Sequence, residues 1–262
     1  MLMDRTFLKD KHVLIMGLGK FGGGLDAAIF AAQSGARVTV TDQADEHALS
    51  DPLAELKKFS GIEYHLGGHI ESDFTDPAGP DVIVVNPAVP PNNKYLLLAE
   101  KAGKTITSQI ELFFQLCPAP IIGITGANGK STTTSLTAHL LDAAADDSLC
   151  PIRNVHLGGN IGNRPLLARL DEIKQDDAVV LELSSFQLEQ LARIEKSPWI
   201  SVLINITPNH LDRHGTFEEY CRAKDYIFQS QQPWRNNPPV SIFNAEDEVA
   251  ASFYEKYRND AN

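Results

Sequence analysis

Apolar and polar positions follow two rhythms along this chain. Short runs rich in β-branched residues fall at 12–16, 37–41, 82–85, 120–125, 178–183, 199–204 and 240–243. Runs such as Val82-Ile83-Val84-Val85 are apolar throughout, as expected of strands covered on both faces of a parallel sheet. Between most of them lie mixed apolar and polar stretches of helical length, at 22–34, 52–59, 95–101, 130–142 and 217–229. Strand and helix in alternation predict an α/β fold with parallel sheets and crossover helices. A short strand at 105–106 ends the first series, and a helix-like linker at 109–117 follows. Pro118 and Pro120 then punctuate the entry to the next strand. The pattern predicts two domains, 1–108 and 109–262.

Each predicted domain opens on a strand that runs into a glycine turn. In the second, an apolar run ends in Gly126-Ala127-Asn128-Gly129-Lys130-Ser131-Thr132. A glycine-bracketed turn followed by Lys-Ser and a helix suits a nucleoside triphosphate such as ATP. Backbone N–H groups and the helix N-terminus face phosphate oxygens, Lys130 adds a point charge, and the Ser131 hydroxyl ligates Mg²⁺. A plain strand–turn–helix corner needs no Lys-Ser. The spacing is tighter than the general phosphate loop, whose first glycine falls where Ile124 stands. In the first domain, Gly17-Leu18-Gly19-Lys20-Phe21-Gly22 has the G-x-G-x-x-G spacing, and Asp42 ends the next predicted strand. That is the setting of a Rossmann-like nucleotide turn with an acidic residue placed for a polar ligand contact. Alone it favours NAD and an oxidoreductase, which stays open here. A dehydrogenase, however, has no need of the second glycine turn.

Composition narrows the partners. With 34 acidic against 23 basic residues the net charge is −11, which repels nucleic acid and anionic membranes. A polyanionic small molecule would have to bind at local devices such as the two glycine turns. No apolar run in the sequence is long enough to span a bilayer. Cys117, Cys150 and Cys221 are scattered without metal-ligand spacing, as expected of idle thiols in a reducing compartment. The expectation is a cytoplasmic monomer without nucleic-acid or membrane partners.

Three later segments carry further chemistry: Leu157-Gly158-Gly159-Asn160-Ile161-Gly162, then Leu181-Glu182-Leu183-Ser184-Ser185-Phe186-Gln187-Leu188-Glu189, then 205–214 with Asn205, Asn209 and His210, followed by Lys224. A carboxylate at the end of a buried strand, as predicted for Glu182, is costly unless it meets a cation. Glu182 ends one strand and His210 follows the end of another, so both would sit at the carboxyl edge of the sheet beside the glycine turn. Each also has a simpler reading: Glu182 in a salt bridge, His210 as a structural histidine, Lys224 as an exposed helix lysine, Ser184 as a helix cap, Asn160 as a turn residue. His65, His69, His156 and His214 read as surface or core residues, and Asp212 with Arg213 as a local ion pair.

In this order the segments resemble those of the Mur ligases, and Glu182-Leu183-Ser184-Ser185-Phe186-Gln187-Leu188 resembles the type that adds D-glutamate. The compact loop at 126–130 is the form that family uses. The resemblance implies ATP-driven amide formation: the carboxylate of UDP-MurNAc-L-Ala attacks the γ-phosphate, and the amine of D-glutamate attacks the resulting acyl phosphate. It implies ATP at 126–132, with Lys130, Glu182, His210 and Lys224 catalytic. It also implies two Mg²⁺ ions held by Ser131, Glu182, His210 and a carbamylated Lys224. The uridine substrate would lie at Gly17, Leu18, Gly19, Gly22 and Asp42, with Asn160 near its muramoyl part and Ser184 and His210 also binding the UDP-sugar. The family normally continues into a third, C-terminal domain, so the sequence reads as a fragment with little turnover alone. Two positions depart from the family pattern: Ala88 stands where glycine is usual, and Asn209 where aspartate precedes the histidine. A ligase adding another amino acid, or glutamates to folate, is the nearest alternative.

Overall fold

The computed structural model describes residues 5–19, 22–145, 147, 150–161 and 166–258. Gly162, residues 20–21 of the first turn and the last four residues lie outside the described residues. Contacts divide the chain into Met1–Leu116 with Pro165–Asp171, and Cys117–Arg164 with Glu172–Asn262. The division falls after Leu116, whereas the sequence pattern placed it after Ser108. The intervening helix sides with the first unit because Gln109 Nε2 donates to Asp26 at 2.7 Å and the helix packs on that residue's helix.

The first unit alternates strands β1 (His12–Met16), β2 (Arg37–Asp42), β3 (Glu63–Leu66), β4 (Val82–Val85) and β5 (Thr105–Thr107) with helices α1 (Gly23–Gln33), α2 (Ser50–Leu56), α3 (Ser72–Thr75), α4 (Lys94–Lys101) and α5 (Gln109–Leu116). The sheet order is β3-β2-β1-β4-β5, parallel throughout, with Leu14 facing Thr39 on one side and Ile83 on the other. Leu14, Met16, Phe74, Ile83, Val85, Leu96 and Ala99 form a buried cluster. Burying each large aliphatic side chain among them contributes about 1.5–3 kcal/mol. Asp26 is buried on α1, where its carboxylate accepts the backbone N–H groups of Leu167 and Ala168 at 3.0 and 2.8 Å. Those bonds explain why a stretch near 165–171 belongs to this unit.

The second unit contains β6 (Ile121–Thr125), β7 (Val155–Gly159), β8 (Ala178–Glu182), β9 (Ile200–Leu203) and β10 (Val240–Phe243). Its helices are α6 (Lys130–Ala145), α7 (Ser185–Arg193), α8 (Leu211–His214), α9 (Phe217–Gln229) and α10 (Glu248–Tyr257). The order is β10-β9-β6-β8-β7, again parallel. Ile122, Ile124, Ala138 and Val180 are the buried centre of its core.

β3 and β7, absent from the sequence reading, are both edge strands. An edge strand is buried on fewer sides, so β3 (Glu-Tyr-His-Leu) and β7 (Val-His-Leu-Gly-Gly) carry little of the apolar signal by which inner strands announce themselves. In each sheet the first strand of the unit, β1 or β6, lies at the centre with connections leaving to both sides. Such a switch point opens a crevice at the carboxyl ends of the central strands, where both glycine turns lie.

Candidate functional site

The second turn is built by three neighbouring strands. β6 delivers Thr125 and Gly126, and α6 starts at Lys130. Gly129 has φ +79°, a left-handed conformation that glycine adopts without a Cβ penalty. From beyond β9, Asn205 Oδ1 accepts the backbone N–H groups of Ala127 and Asn128 at 3.0 and 2.9 Å, while its Nδ2 donates to the Asn128 carbonyl at 3.1 Å. The first amides of α6 have no acceptor within the helix, and they follow directly from this tethered loop. The Lys130 ammonium folds over the loop and donates to the Ala127 carbonyl at 3.0 Å.

Glu182 ends β8 at 2 % exposure. Its two oxygens are engaged separately: Ser131 Oγ donates to Oε2 at 2.7 Å and Asn160 Nδ2 to Oε1 at 3.1 Å. Asn160 is fixed in turn, because its own N–H donates to the Glu182 carbonyl at 2.8 Å. Gly159, at φ +89°, has no room for a side chain, since a Cβ would lie 2.1 Å from that carbonyl oxygen. A carboxylate and a hydroxyl oxygen beside a phosphate loop form a hard donor pair that fits Mg²⁺. No salt-bridge partner of Glu182 is found among the described residues.

Lys224, on α9, is not the exposed lysine of the simpler sequence reading: its exposure is 1 %. Nζ donates to Thr125 Oγ1 at 3.2 Å and to the Gly126 carbonyl at 3.0 Å, and lies 4.8 Å from the Tyr220 ring centre. Burial, with the nearby Lys130 charge second, pulls its pKa down to about 7. A lysine so placed is about half neutral amine at pH 7.

His210 is exposed and caps α8 with φ 52°. Its N–H donates to Asn209 Oδ1 at 2.9 Å, and its ring lies 5.4 Å from that of Phe186. Among the described residues no three His, Cys, Asp or Glu side chains converge, so Glu182 and His210 are not gathered into a preformed cluster of that kind. Ser184 is a helix cap: with Gln187 it forms a full capping box at the start of α7. His214 is a core residue, bonded to Ser185 Oγ at 2.9 Å and stacked on Phe186, with burial lowering its pKa. Thr132 sits exposed in the first turn of α6.

The first turn is held in a parallel way but by a different acceptor. Gly17, Gly19 and Gly22 all have positive φ, and Gly22 caps α1. Asp42 Oδ2 accepts the N–H groups of Leu18 and Gly19 at 2.8 and 3.2 Å, and Oδ1 accepts that of Ala44 at 2.9 Å. Asn86, from beyond β4, covers the turn, and a Cβ on Gly17 would come within 2.9 Å of its Cβ. The close approach of helix to strand belongs to Gly24, where a Cβ would lie 2.2 Å from the Gly17 carbonyl oxygen. Sequence reasoning passed over Gly24, Gly159 and the tethering role of Asn205.

A profile of the Mur ligase middle domain matches residues 124–262. The chain is 41 % identical over 244 residues to the UDP-N-acetylmuramoylalanine–D-glutamate ligase of Geobacter metallireducens, covering 93 % of this chain and 50 % of that protein. It is 44 % identical over 229 residues to the ligase of the same name from a Roseiflexus species, covering 86 % of this chain and 46 % of that protein. The chain thus spans about half the length of the curated relatives it matches. In fold it is similar to the UDP-N-acetylmuramate:L-alanyl-gamma-D-glutamyl-meso-diaminopimelate ligase from Neisseria meningitides, with TM-score 0.63 at 18 % identity over 94 % of this chain and 75 % of that one.

Proposed function

The chain belongs to the Mur ligase family, and we propose that it is the nucleotide-binding part of an ATP-dependent ligase that joins D-glutamate to UDP-MurNAc-L-Ala in the cytoplasm. The observation that carries this reading is buried Glu182 hydrogen-bonded at 2.7 Å to Ser131, the residue after the loop lysine. Relatives named for D-glutamate addition, at about 40 % identity, support the substrate. The two units divide the ligands. Residues 126–132 take the ATP phosphates, and the first unit takes the uridine end of the substrate around Gly17, Leu18, Gly19, Gly22 and Asp42. Asn160 serves its muramoyl part, and Ser184 and His210 also bind the UDP-sugar.

Lys130 and the amides of α6 orient the γ-phosphate and offset the charge spreading over it during transfer. The substrate carboxylate attacks phosphorus and ADP leaves; the amine of D-glutamate then attacks the acyl phosphate carbon and expels phosphate, leaving an amide. Ser131, Glu182 and His210 would hold Mg²⁺, which supplies further charge neutralisation at the phosphates. Lys224, as a carbamate, would hold a second ion. A neutral amine adds CO₂ with loss of one proton, and the low pKa of Lys224 supplies that amine. NAD at the first turn is the weaker reading, because it leaves the second glycine turn, with its Lys130 and Ser131, without a role.

Calorimetric titration of Mg²⁺-ATP tests the loop. Lys130→Ala should weaken binding by on the order of a hundredfold, and unchanged affinity would remove Lys130 from the site. With ¹³C-labelled bicarbonate, a carbamate resonance should grow as pH rises through about 7, the Lys224 value, and be missing in Lys224→Arg. Its persistence in that variant would assign the signal elsewhere.

A further inference from the structure

We propose that Asn205 is a positioning residue that presets the phosphate loop, and that its lack of charge is what lets the loop accept a nucleotide anion. The proposal rests on the ATP reading of residues 126–132. Three hydrogen bonds between one side chain and two consecutive loop residues, all 2.9–3.1 Å, fix the entrance of the loop from outside it. The Ala127 N–H also reaches the Asn205 carbonyl at 2.9 Å, so backbone and side chain act together. A second brace lies beside it, where Asn128 Nδ2 contacts Thr207 Oγ1 at 3.5 Å. Gly126 leaves room for this brace, since a Cβ there would stand 3.2 Å from Ile204 Cβ.

The first unit shows what a charged acceptor does in the same position. There a carboxylate oxygen of Asp42 takes two consecutive turn amides at 2.8 and 3.2 Å, as Asn205 Oδ1 does at 3.0 and 2.9 Å. Both side chains come from the end of a strand paired with the turn's own strand. A carboxylate cancels the positive potential of the amides it binds, whereas an amide oxygen leaves most of it in place for phosphate. Asparagine and aspartate have nearly the same shape, so exchanging them changes charge with little change in packing.

The test compares the chain with Asn205→Asp, Asn205→Ala and Lys130→Ala, reading Mg²⁺-ATP affinity by calorimetry and amide hydrogen exchange at Ala127 and Asn128. Asn205→Asp should keep both amides protected yet lose affinity by on the order of a hundredfold, from a like charge set against phosphate. Asn205→Ala should release the Asn128 amide to faster exchange, while Ala127 keeps its bond to the residue-205 carbonyl, and affinity should fall about tenfold. Wild-type affinity in Asn205→Asp, alongside lost affinity in Lys130→Ala, overturns the proposal and leaves the ATP reading standing. ATP binding absent from the wild-type chain overturns the reading and the proposal together. If Asn205→Asp does not fold, unchanged exchange at Asn128 in Asn205→Ala overturns the positioning role.

Discussion

The two glycine turns share a plan and differ in charge. Each follows the central strand of a five-stranded parallel sheet, opens a helix, and has two consecutive amides tied to a side chain from the end of a neighbouring strand. At the first turn the tie is the carboxylate of Asp42, and Asn86 covers the glycines. At the second it is the amide of Asn205, with Lys130 folded over the loop and Glu182 bonded to Ser131. The glycines differ in purpose as well: Gly24 is glycine because backbone approaches it closely and Gly17 for both space and φ, while Gly129 is glycine for its φ alone, with nothing within 4 Å of its missing Cβ. The same backbone device can therefore have its amides taken by a carboxylate, as at Leu18 and Gly19, or held by a neutral amide that leaves the loop open to an anion, depending on what caps it.

Substitutions at these positions probe the contrast. The largest effect is expected for Gly24→Ala, where the new methyl meets a backbone oxygen at 2.2 Å that cannot swing aside. We expect a loss of about 3 kcal/mol or more, visible as a lower denaturation midpoint, and a loss below 1 kcal/mol would mean the helix shifts freely. Asp42→Ala strips the acceptor from three N–H groups, so stability should fall by about 2–3 kcal/mol. If it does not, the carboxylate is not what holds the turn. Gly129→Ala meets no atoms and strains only φ, costing about 1–2 kcal/mol. A cost equal to that of Gly24→Ala would erase the distinction between space and conformation.

Much of this was readable from the chain. Inner strands such as Val82–Val85 carry enough apolar continuity to be placed to the residue, and the glycine turns announce themselves by spacing. The edge strands β3 and β7 carried little of that signal, as their partial exposure demands. At the site, Glu182 and Lys224 were legible as residues but not as environments. Nothing local in Arg222-Ala223-Lys224-Asp225 reveals a lysine at 1 % exposure, because its burial depends on α9 crossing the end of β6. Asn205 was passed over for the same reason, since its bonds to Ala127 and Asn128 span more than seventy residues of sequence.

The most direct measurement is a backbone-amide NMR titration of the chain with Mg²⁺-ADP. A phosphate site at the second turn predicts large shift changes for Gly129, Lys130, Ser131 and Thr132, with Leu18 and Gly19 unmoved. Shifts at Leu18 and Gly19 with a silent second loop would contradict the assignment of the anion to the turn capped by a neutral residue.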